Sequence, residues 1–199
     1  MRIILASQSP RRRELLERMG IRDFEVLPAR GEELADPSLP PAELVEGLSR
    51  RKCAEVAALR PGGLVIGADT VVSIDGQVLG KPRDRAEAER MLRALSGRQH
   101  TVYTGVTVLY NGTAETGSER TSVRFRPLTD GDITRYIGTG EPMDKAGAYG
   151  IQGYGSVLVE GISGDYYNVM GLPVCRLGRM LLRFGVDPLA LAAEKEQAK

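Results

Sequence analysis

One aspartate of the chain stands inside an apolar run. Residues 64–68 are apolar or glycine, Asp69-Thr70 follows, and residues 71–72 are both valine. A carboxylate inside an apolar strand is costly unless it is paired, hydrogen-bonded or bound to a metal. No basic residue lies beside Asp69 in the sequence. Asp69 is therefore either a structural group that accepts backbone hydrogen bonds, or a general base or ligand of Mg²⁺ or Mn²⁺, which favour oxygen ligands.

A second candidate is the segment 7–13, Ser-Gln-Ser-Pro-Arg-Arg-Arg. Ser9 suits the N-cap of a helix and Pro10 its first position, so free backbone N–H groups should point outward there and suit a phosphate. Arg11 and Arg12 in the first turn oppose the helix dipole by about 0.3–1 kcal/mol each, and a bound anion would reverse that sign. Nucleotide-free protein should therefore tolerate loss of Arg12. The alternative is a solvated basic face.

Three further charged residues lie far apart in the sequence. Lys52 is on a predicted helix, Lys81 stands at a strand end between Gly80 and Pro82, and Glu33 is in an acidic loop. Taken singly, each has the character of an ordinary surface charge. They become a site only if the fold brings them together.

The segment 144–153, Asp-Lys-Ala-Gly-Ala-Tyr-Gly-Ile-Gln-Gly, is neither a Walker A loop nor a GxGxxG turn. Its small residues beside Tyr149, Ile151 and Gln152 suit a tight pocket for a flat ring. The amide of Gln152 carries an acceptor and a donor that match the N–H and carbonyl edge of uracil or thymine. The alternatives are a plain loop, and a Gln152 that only braces the loop backbone.

Several other classes of chemistry have little support. The single histidine, His100, occurs without a GxSxG sequence, which disfavours a Ser-His-Asp hydrolase and leaves a structural or surface role. Cys53 and Cys175 lack CxxC spacing, and we expect two buried free thiols in a reducing cytoplasm. The net charge of +1 provides no basic excess for long nucleic acid. No run approaches the roughly 20 apolar residues of a membrane span, so we expect a soluble, cytoplasmic protein.

The elements that position these residues form a mixed pattern. It predicts strands at 2–6, 24–27, 64–74, 77–79, 99–110, 113–125 and 156–160, and helices at 10–19, 42–59, 85–96, 129–137 and 173–184. Asp75-Gly76 and Asn111-Gly112 are hairpin signals. Helices interleaved with hairpin-linked strands indicate an α/β or α+β fold with a mixed sheet and a cleft between sheet and helices. We expect one catalytic domain over 1–185, followed by a tail or helix over 186–199.

Taken together, these segments resemble the Maf family of nucleoside triphosphate pyrophosphatases, from residue 5 to about residue 173. The order and spacing of the matching strings are specific as a set, although no single string is decisive. The strings are Ala6-Ser7-Gln8-Ser9-Pro10-Arg11-Arg12, Glu33, Arg51-Lys52, Gly67-Ala68-Asp69-Thr70-Val71-Val72, Gly80-Lys81-Pro82, Leu95-Ser96-Gly97, His100, Tyr103-Thr104-Gly105, Asp144-Lys145-Ala146-Gly147 and Gly171-Leu172-Pro173.

The resemblance implies release of pyrophosphate from nucleoside triphosphates with a divalent cation such as Mg²⁺ or Mn²⁺. It also implies a fold similar to the inosine triphosphate pyrophosphatases, with an elongated mixed sheet, flanking helices and two lobes around a cleft, and assembly as a homodimer. The family's catalytic aspartate corresponds to Asp69. Its substrate-selecting positions correspond to Arg11, Thr70 and Gln152, and its phosphate and metal cluster to Ser9, Arg12, Glu33, Lys52 and Lys81.

The string 144–153 resembles the branch of the family that acts on dTTP and UTP. One departure is Glu32-Glu33, where the family more often has Asp-Glu. Two alternatives stay open: a 7-methyl-GTP-type pyrophosphatase of the same family, and a non-catalytic nucleotide-sensing regulator of septum formation. Asp69 argues against a sensor, because a phosphate-binding protein without catalysis has no need of a carboxylate that repels its ligand.

Overall fold

A computed structural model describes residues 1–31, 36 and 38–197, apart from the side chains of 195–197. The described strands are β1 (Ile3–Leu5), β2 (Phe24–Val26), β3 (Leu64–Ile74), β4 (Gln77–Leu79), β5 (Gln99–Tyr110), β6 (Thr113–Phe125) and β7 (Val159–Ser163). The described α-helices are α1 (Pro10–Arg18), α2 (Pro41–Leu59), α3 (Arg85–Leu95), α4 (Asp130–Gly138), α5 (Tyr166–Met170), α6 (Val174–Arg183) and α7 (Pro188–Gln197). Three short 3₁₀ helices are Glu141–Asp144, Ala146–Ala148 and Tyr154–Leu158.

The strands form one mixed sheet. Its order is β2-β1-β3-β5-β6-β7, and β4 pairs in addition with β3. β1 is parallel to both β2 and β3, whereas β4 is antiparallel to β3 and β7 is antiparallel to β6. The prediction of an α/β fold with a mixed sheet is confirmed.

The two predicted hairpin turns also form as the sequence indicates. Asp75-Gly76 has φ angles of 52° and 75°, and Asn111-Gly112 has φ angles of 48° and 79°. Two consecutive positive φ angles are the geometry of the turn whose twist matches that of the strands it joins, and Asp, Asn and Gly adopt it at low cost. The predicted bounds of β3, β4, β5 and β6 are therefore confirmed.

The structure corrects the predicted strand near residue 156. The sequence predicts a strand over 156–160, but 154–158 form a 3₁₀ helix and the strand begins at Val159. Backbone hydrogen bonding explains the shift, because the N–H of Ser156 donates to the carbonyl of Gly153 and closes a turn. The five-residue helix α5 is absent from the sequence prediction, and its start is marked by the Asp165 carboxylate, which accepts from the N–H of Tyr167.

The chain divides into two compact units. The first comprises residues 1–69, 104–119 and 171–199, and the second comprises residues 70–103 and 120–170. A buried cluster in the first unit includes Ile4, Val56 and Val65. In the second unit, Leu92 and Phe125 are fully buried. Among the described residues, no helix combines the length and apolar character needed to cross a membrane.

Candidate active site

Asp69 of the first unit is paired with a lysine. Its Oδ1 lies 2.5 Å from Nζ of Lys52, a residue 17 positions earlier in the chain, on α2. Both side chains are largely buried, with 10% and 16% of their surfaces exposed. The costly carboxylate is thus compensated by a cation. The structure therefore brings together two of the residues that the sequence singles out separately.

Close packing of α2 on the sheet makes this pair possible. Gly67 lies two residues before Asp69, on the same face of β3. A Cβ at Gly67 would lie 2.8 Å from the carbonyl oxygen of Ser49 on α2. A Cβ at Gly105 of β5 would collide with the backbone of Val45, also on α2. Sequence reasoning missed this role of Gly105, although a glycine inside a predicted strand is a signal of close backbone approach.

Cys53 is buried in the same contact between α2 and the sheet. Its thiol is fully buried and lies within hydrogen-bond distance of the carbonyls of Val65 and Thr107. Burial raises the pKa of this thiol to about 12, so the sulfur stays protonated and unreactive at neutral pH. Cys53 is a buried free thiol, as the sequence predicts, whereas Cys175 is free but exposed.

The second feature of the first unit is the N-terminus of α1. Ser9 occupies the N-cap in extended conformation without a side-chain cap hydrogen bond, and Pro10 follows as predicted. The first turn contains no acidic residue. The N–H groups and the cationic side chains of Arg11 and Arg12 therefore present positive charge at this end of the helix.

Arg12 is held in place by groups from two other segments. Its Nε donates to the carbonyl of Gly171 at 2.8 Å, and one terminal nitrogen donates to Ser7 Oγ at 3.1 Å. Ser7 Oγ also accepts from the N–H of Ser9 at 3.2 Å. Ser7 thus connects the arginine to the N-cap of the same helix, a positioning role that the sequence did not single out.

Glu33 lies outside the described residues, so its predicted place in the metal site stays a prediction. On the N-terminal side of Glu33, the last described residue is Gly31, whose N–H donates to Glu55 at 3.0 Å. The N–H of Arg30 donates to the other oxygen of Glu55 at 2.6 Å. Two amide hydrogen bonds lower the pKa of Glu55 and fix this end of the loop to α2.

The remaining predicted site residues belong to the second unit. Thr70 follows Asp69 on β3 and is half-buried, with its side chain on the opposite face because side chains alternate along a strand. Lys81 is exposed just after β4. The carbonyl of its neighbour Gly80 accepts from the N–H of Gly147 at 3.0 Å. The segment containing Lys81 is therefore joined to the segment 144–153.

Gln152 is exposed on a turn. It follows the buried Ile151 and precedes the half-buried Gly153. Tyr149, three residues earlier, is buried in the core. This side chain is 5% exposed, its hydroxyl lies 2.9 Å from His100 Nε2, and its ring packs edge-on against His100 and Phe125. The ring and hydroxyl of Tyr149 are both engaged in the core, and its part in shaping a base pocket stays a prediction.

His100 belongs to this aromatic core, in agreement with the structural role considered from the sequence. It is 2% exposed, and its burial lowers its pKa to about 4. The imidazole is therefore neutral at pH 7 and supplies no charge for phosphate binding.

The geometry of the first unit supports chemistry on an anion. A helix N-terminus with arginines can bind phosphate oxygens, and a carboxylate paired with an ammonium can accept a proton. The family model of the Maf-like proteins matches residues 2–184. The chain belongs to the Maf-like protein family.

Relatives of known name and fold support the same placement. A protein of Symbiobacterium thermophilum named dTTP/UTP pyrophosphatase is 55% identical over 92% of this chain and 94% of its own. One of the same name from Thermococcus gammatolerans is 57% identical over 86% of this chain and 91% of its own. The solved structure of a HAM1 protein from Coxiella burnetii has a TM-score of 0.53 and 16% identity, covering 92% of this chain and 99% of that one. This last likeness concerns the fold alone.

Within this Maf-like protein, the predicted site residues that the structure describes fall into two groups. Ser9, Arg11, Arg12, Lys52 and Asp69 belong to the first unit, and Thr70, Lys81 and Gln152 belong to the second. Of the first group, Lys52 and Asp69 are in direct contact. Ser7 and Gly171, which hold Arg12, are the additions that the structure makes.

Proposed function

We propose that this Maf-like protein hydrolyses dTTP and UTP to the nucleoside monophosphate and pyrophosphate. The observation that carries the proposal is its similarity to proteins named dTTP/UTP pyrophosphatase, at 55% identity over 92% of this chain in one case. The paired carboxylate and ammonium belong to the same unit as an arginine-bearing helix N-terminus, and both features are compatible with that reaction. The experiments below distinguish this activity from the two alternatives, a 7-methyl-GTP-type pyrophosphatase of the same family and a non-catalytic nucleotide sensor.

In the proposed reaction, water attacks the α-phosphorus of the substrate. A new P–O bond forms, the bond from the α-phosphorus to the bridging oxygen breaks, and pyrophosphate leaves with the electron pair. Asp69 accepts the proton of the attacking water. Lys52 Nζ, at 2.5 Å from this carboxylate, offsets the negative charge that would otherwise repel the phosphates. Arg12 and the N–H groups of α1 bind phosphate oxygens, with Ser9, Arg11 and Lys81 as the further phosphate and substrate contacts.

A divalent cation, Mg²⁺ or Mn²⁺, is part of the proposal. Among the described residues, no group of three or more His, Cys, Asp or Glu side chains could hold a metal. Mg²⁺ is commonly held by one or two carboxylates together with substrate phosphates and retained waters. Asp69, with Glu33 as the second carboxylate, fits an ion that arrives with the triphosphate. When bound, the ion supplies positive charge to the phosphate oxygens.

Base selection is assigned to Gln152, with Arg11 and Thr70 as the further substrate-selecting positions that the Maf resemblance implies. Its planar amide can donate to a carbonyl and accept from the ring N–H of uracil or thymine. Cytosine lacks that N–H and presents an amino group in place of the carbonyl, so it would leave the amide unpaired. The exposure of Gln152 leaves its amide accessible to a ligand.

A panel of dTTP, UTP, CTP, GTP and 7-methyl-GTP tests this assignment. Glu in place of Gln152 has no donor for the base carbonyl, so Gln152→Glu should lower kcat/KM for dTTP and UTP by about 100-fold and for CTP much less. Gln77→Glu is the matched control, because it makes the same change of charge at an exposed glutamine of β4 and should leave the profile unchanged. Preference of the wild type for GTP or 7-methyl-GTP would show that the branch is wrong. If Gln152→Glu lowered kcat/KM by the same factor for every nucleotide, Gln152 would only support the loop backbone.

The proposal also includes the cellular compartment and the oligomeric state of the enzyme. We expect the enzyme to act in the cytoplasm as a homodimer, which is what the Maf resemblance implies. Its partner of interest is the nucleoside triphosphate, and the near-neutral charge of the chain gives no support to binding of long nucleic acid.

A further inference from the structure

A partly buried carboxylate in the second unit has no role in the chemistry proposed above. Glu141 lies just after α4, and its side chain accepts three hydrogen bonds. The N–H of Tyr154 donates to Oε2 at 2.8 Å, the N–H of Gly155 donates to Oε1 at 3.0 Å, and the hydroxyl of Tyr136 donates to Oε1 at 2.8 Å. Two of these three donors are backbone groups of the loop that contains Gln152.

Tyr136 makes a further contact with the same loop. Its hydroxyl accepts from the N–H of Gly150 at 3.0 Å while donating to Glu141. The Gln152 turn, residues 150–155, is therefore held at its first residue by Tyr136 and at its last two by Glu141. Tyr136 is 5% exposed and extends from α4, so the hydroxyl has a rigid support.

The glycines of the Gln152 turn are required for these contacts. A Cβ at Gly153 would collide with the carboxylate of Glu141, and one at Gly155 would lie 2.6 Å from the hydroxyl of Tyr136. A Cβ at Gly150 would lie 2.6 Å from Cε of Lys145. At Gly153 and Gly155 the backbone of the turn thus lies directly on the polar groups that hold it, whereas Gly150 lies against the aliphatic part of Lys145.

Charge strengthens the arrangement. Burial by itself would raise the pKa of Glu141, but the hydrogen bonds from Gly155, Tyr136 and Tyr154 and the charge of Lys145 together lower it. The ionised carboxylate makes stronger hydrogen bonds to the turn than a neutral group would. Lys145 is itself fixed, because its Nζ donates to the backbone carbonyl of Glu141 at 2.7 Å and to Asp144 at 2.6 Å.

We propose that Glu141 and Tyr136 are positioning residues that fix the Gln152 turn in the shape from which the Gln152 amide reads the base. This inference rests on the proposed function of Gln152. An exposed side chain reads a planar edge only if its backbone is held within a fraction of an ångström, and supporting hydrogen bonds provide that constraint. Loss of the support should therefore weaken discrimination between bases more than it slows the reaction.

Glu141→Gln tests the inference, because the amide replaces one accepting oxygen by a donor facing backbone N–H groups. The ratio of kcat/KM for dTTP to that for CTP should fall at least tenfold, through a higher KM for dTTP and a kcat changed less than threefold. Asp187→Asn is the matched control, since Asp187 also accepts two backbone N–H groups, from Leu189 and Ala190, at the start of α7. It should leave the ratio unchanged.

Two additional variants make the outcome decisive. Tyr136→Phe removes only a hydroxyl and should shift the ratio of kcat/KM values in the same direction. It therefore tests the inference even if Glu141→Gln does not fold. In a Gln152→Ala background, Glu141→Gln should cause no further loss of selectivity, because both changes then act through one side chain. A folded Glu141→Gln or Tyr136→Phe enzyme with the selectivity of the wild type would overturn the inference. A wild type without preference for dTTP and UTP would instead overturn the proposed function on which it rests.

Discussion

At the scale of single residues, the pairing of Asp69 with Lys52 connects the sequence to the chemistry. The sequence identifies Asp69, since a carboxylate among apolar neighbours needs a compensating group. It could not identify the partner, because Lys52 lies 17 residues away and its approach depends on how α2 packs against β3. A local pattern thus predicts which residue is costly, and tertiary packing determines what stabilises it.

Tyr149 illustrates the opposite case. It stands in a string that suits a ligand pocket, yet its ring packs against His100 and Phe125. An aromatic side chain beside glycines has the same pattern whether it faces a ligand or the core. The side on which the ring packs depends on long-range contacts, such as that between Tyr149 and His100, 49 positions apart.

His100 leads to a prediction on stability and pH. Its pKa in the folded protein is about 4, below the ordinary value of 6.5. Between these values the unfolded chain binds a proton that the folded protein does not, so stability falls as the pH decreases from about 6.5 towards 4. Between pH 7 and pH 5 this contribution amounts to about 2 kcal/mol.

Urea unfolding of the wild type and His100→Gln at pH 7 and pH 5 measures this term. Glutamine keeps a polar atom near the Tyr149 hydroxyl but does not titrate. The decrease in the free energy of unfolding between the two pH values should be smaller in the variant by about 2 kcal/mol. Equal decreases in both proteins would mean that His100 is not buried in neutral form.

At the scale of elements, the hairpins were predictable and the approach of helix to sheet was not. Asp75-Gly76 and Asn111-Gly112 determine their turns locally, through φ angles that few other pairs adopt. The closeness of α2 to β3 and β5 depends on Gly67 and Gly105, which contact residues far away in the sequence. A glycine in a strand signals close approach, but the element that approaches follows only from the fold.

The N-terminus of α1 gives a prediction for Arg12 that the structure changes. From the sequence, loss of Arg12 should relieve its clash with the helix dipole. In the structure Arg12 donates hydrogen bonds to Gly171 and Ser7, each worth about 0.5–1.5 kcal/mol. These outweigh the relief of about 0.3–1 kcal/mol. Nucleotide-free Arg12→Ala should therefore be less stable than the wild type by about 1 kcal/mol.

Thermal unfolding with and without dTTP and Mg²⁺ checks this expectation. The nucleotide should raise the Tm of the wild type markedly and that of Arg12→Ala little, because a ligand stabilises only in proportion to its binding. Arg13→Ala is the matched control, since Arg13 is exposed in the same turn and its loss should leave the ligand-induced shift intact. The phosphate role of Arg12 fails if the nucleotide stabilises all three proteins equally.

At the scale of the whole molecule, the sequence and the structure agree on the fold, and the comparisons establish the family. The mixed sheet follows from the alternation of helices and hairpin-linked strands, and the Maf-like family model matches residues 2–184. The boundaries between the two compact units were less accessible, because β3, β5 and β6 each contribute residues to both. The alternation of residue types along a strand does not change at the residue where one unit ends and the other begins.

We propose that Asp69 drives release of pyrophosphate from a pyrimidine nucleoside triphosphate. The most direct measurement is ³¹P NMR of dTTP and Mg²⁺ incubated with the wild type or with Asp69→Asn, the fold of both checked by circular dichroism. We expect the wild type to form dTMP and pyrophosphate, and the folded variant to be slower by at least about 100-fold, the low end of a general-base contribution. Formation of dTDP and orthophosphate, binding without turnover, or near-normal pyrophosphate release by Asp69→Asn would contradict the claim.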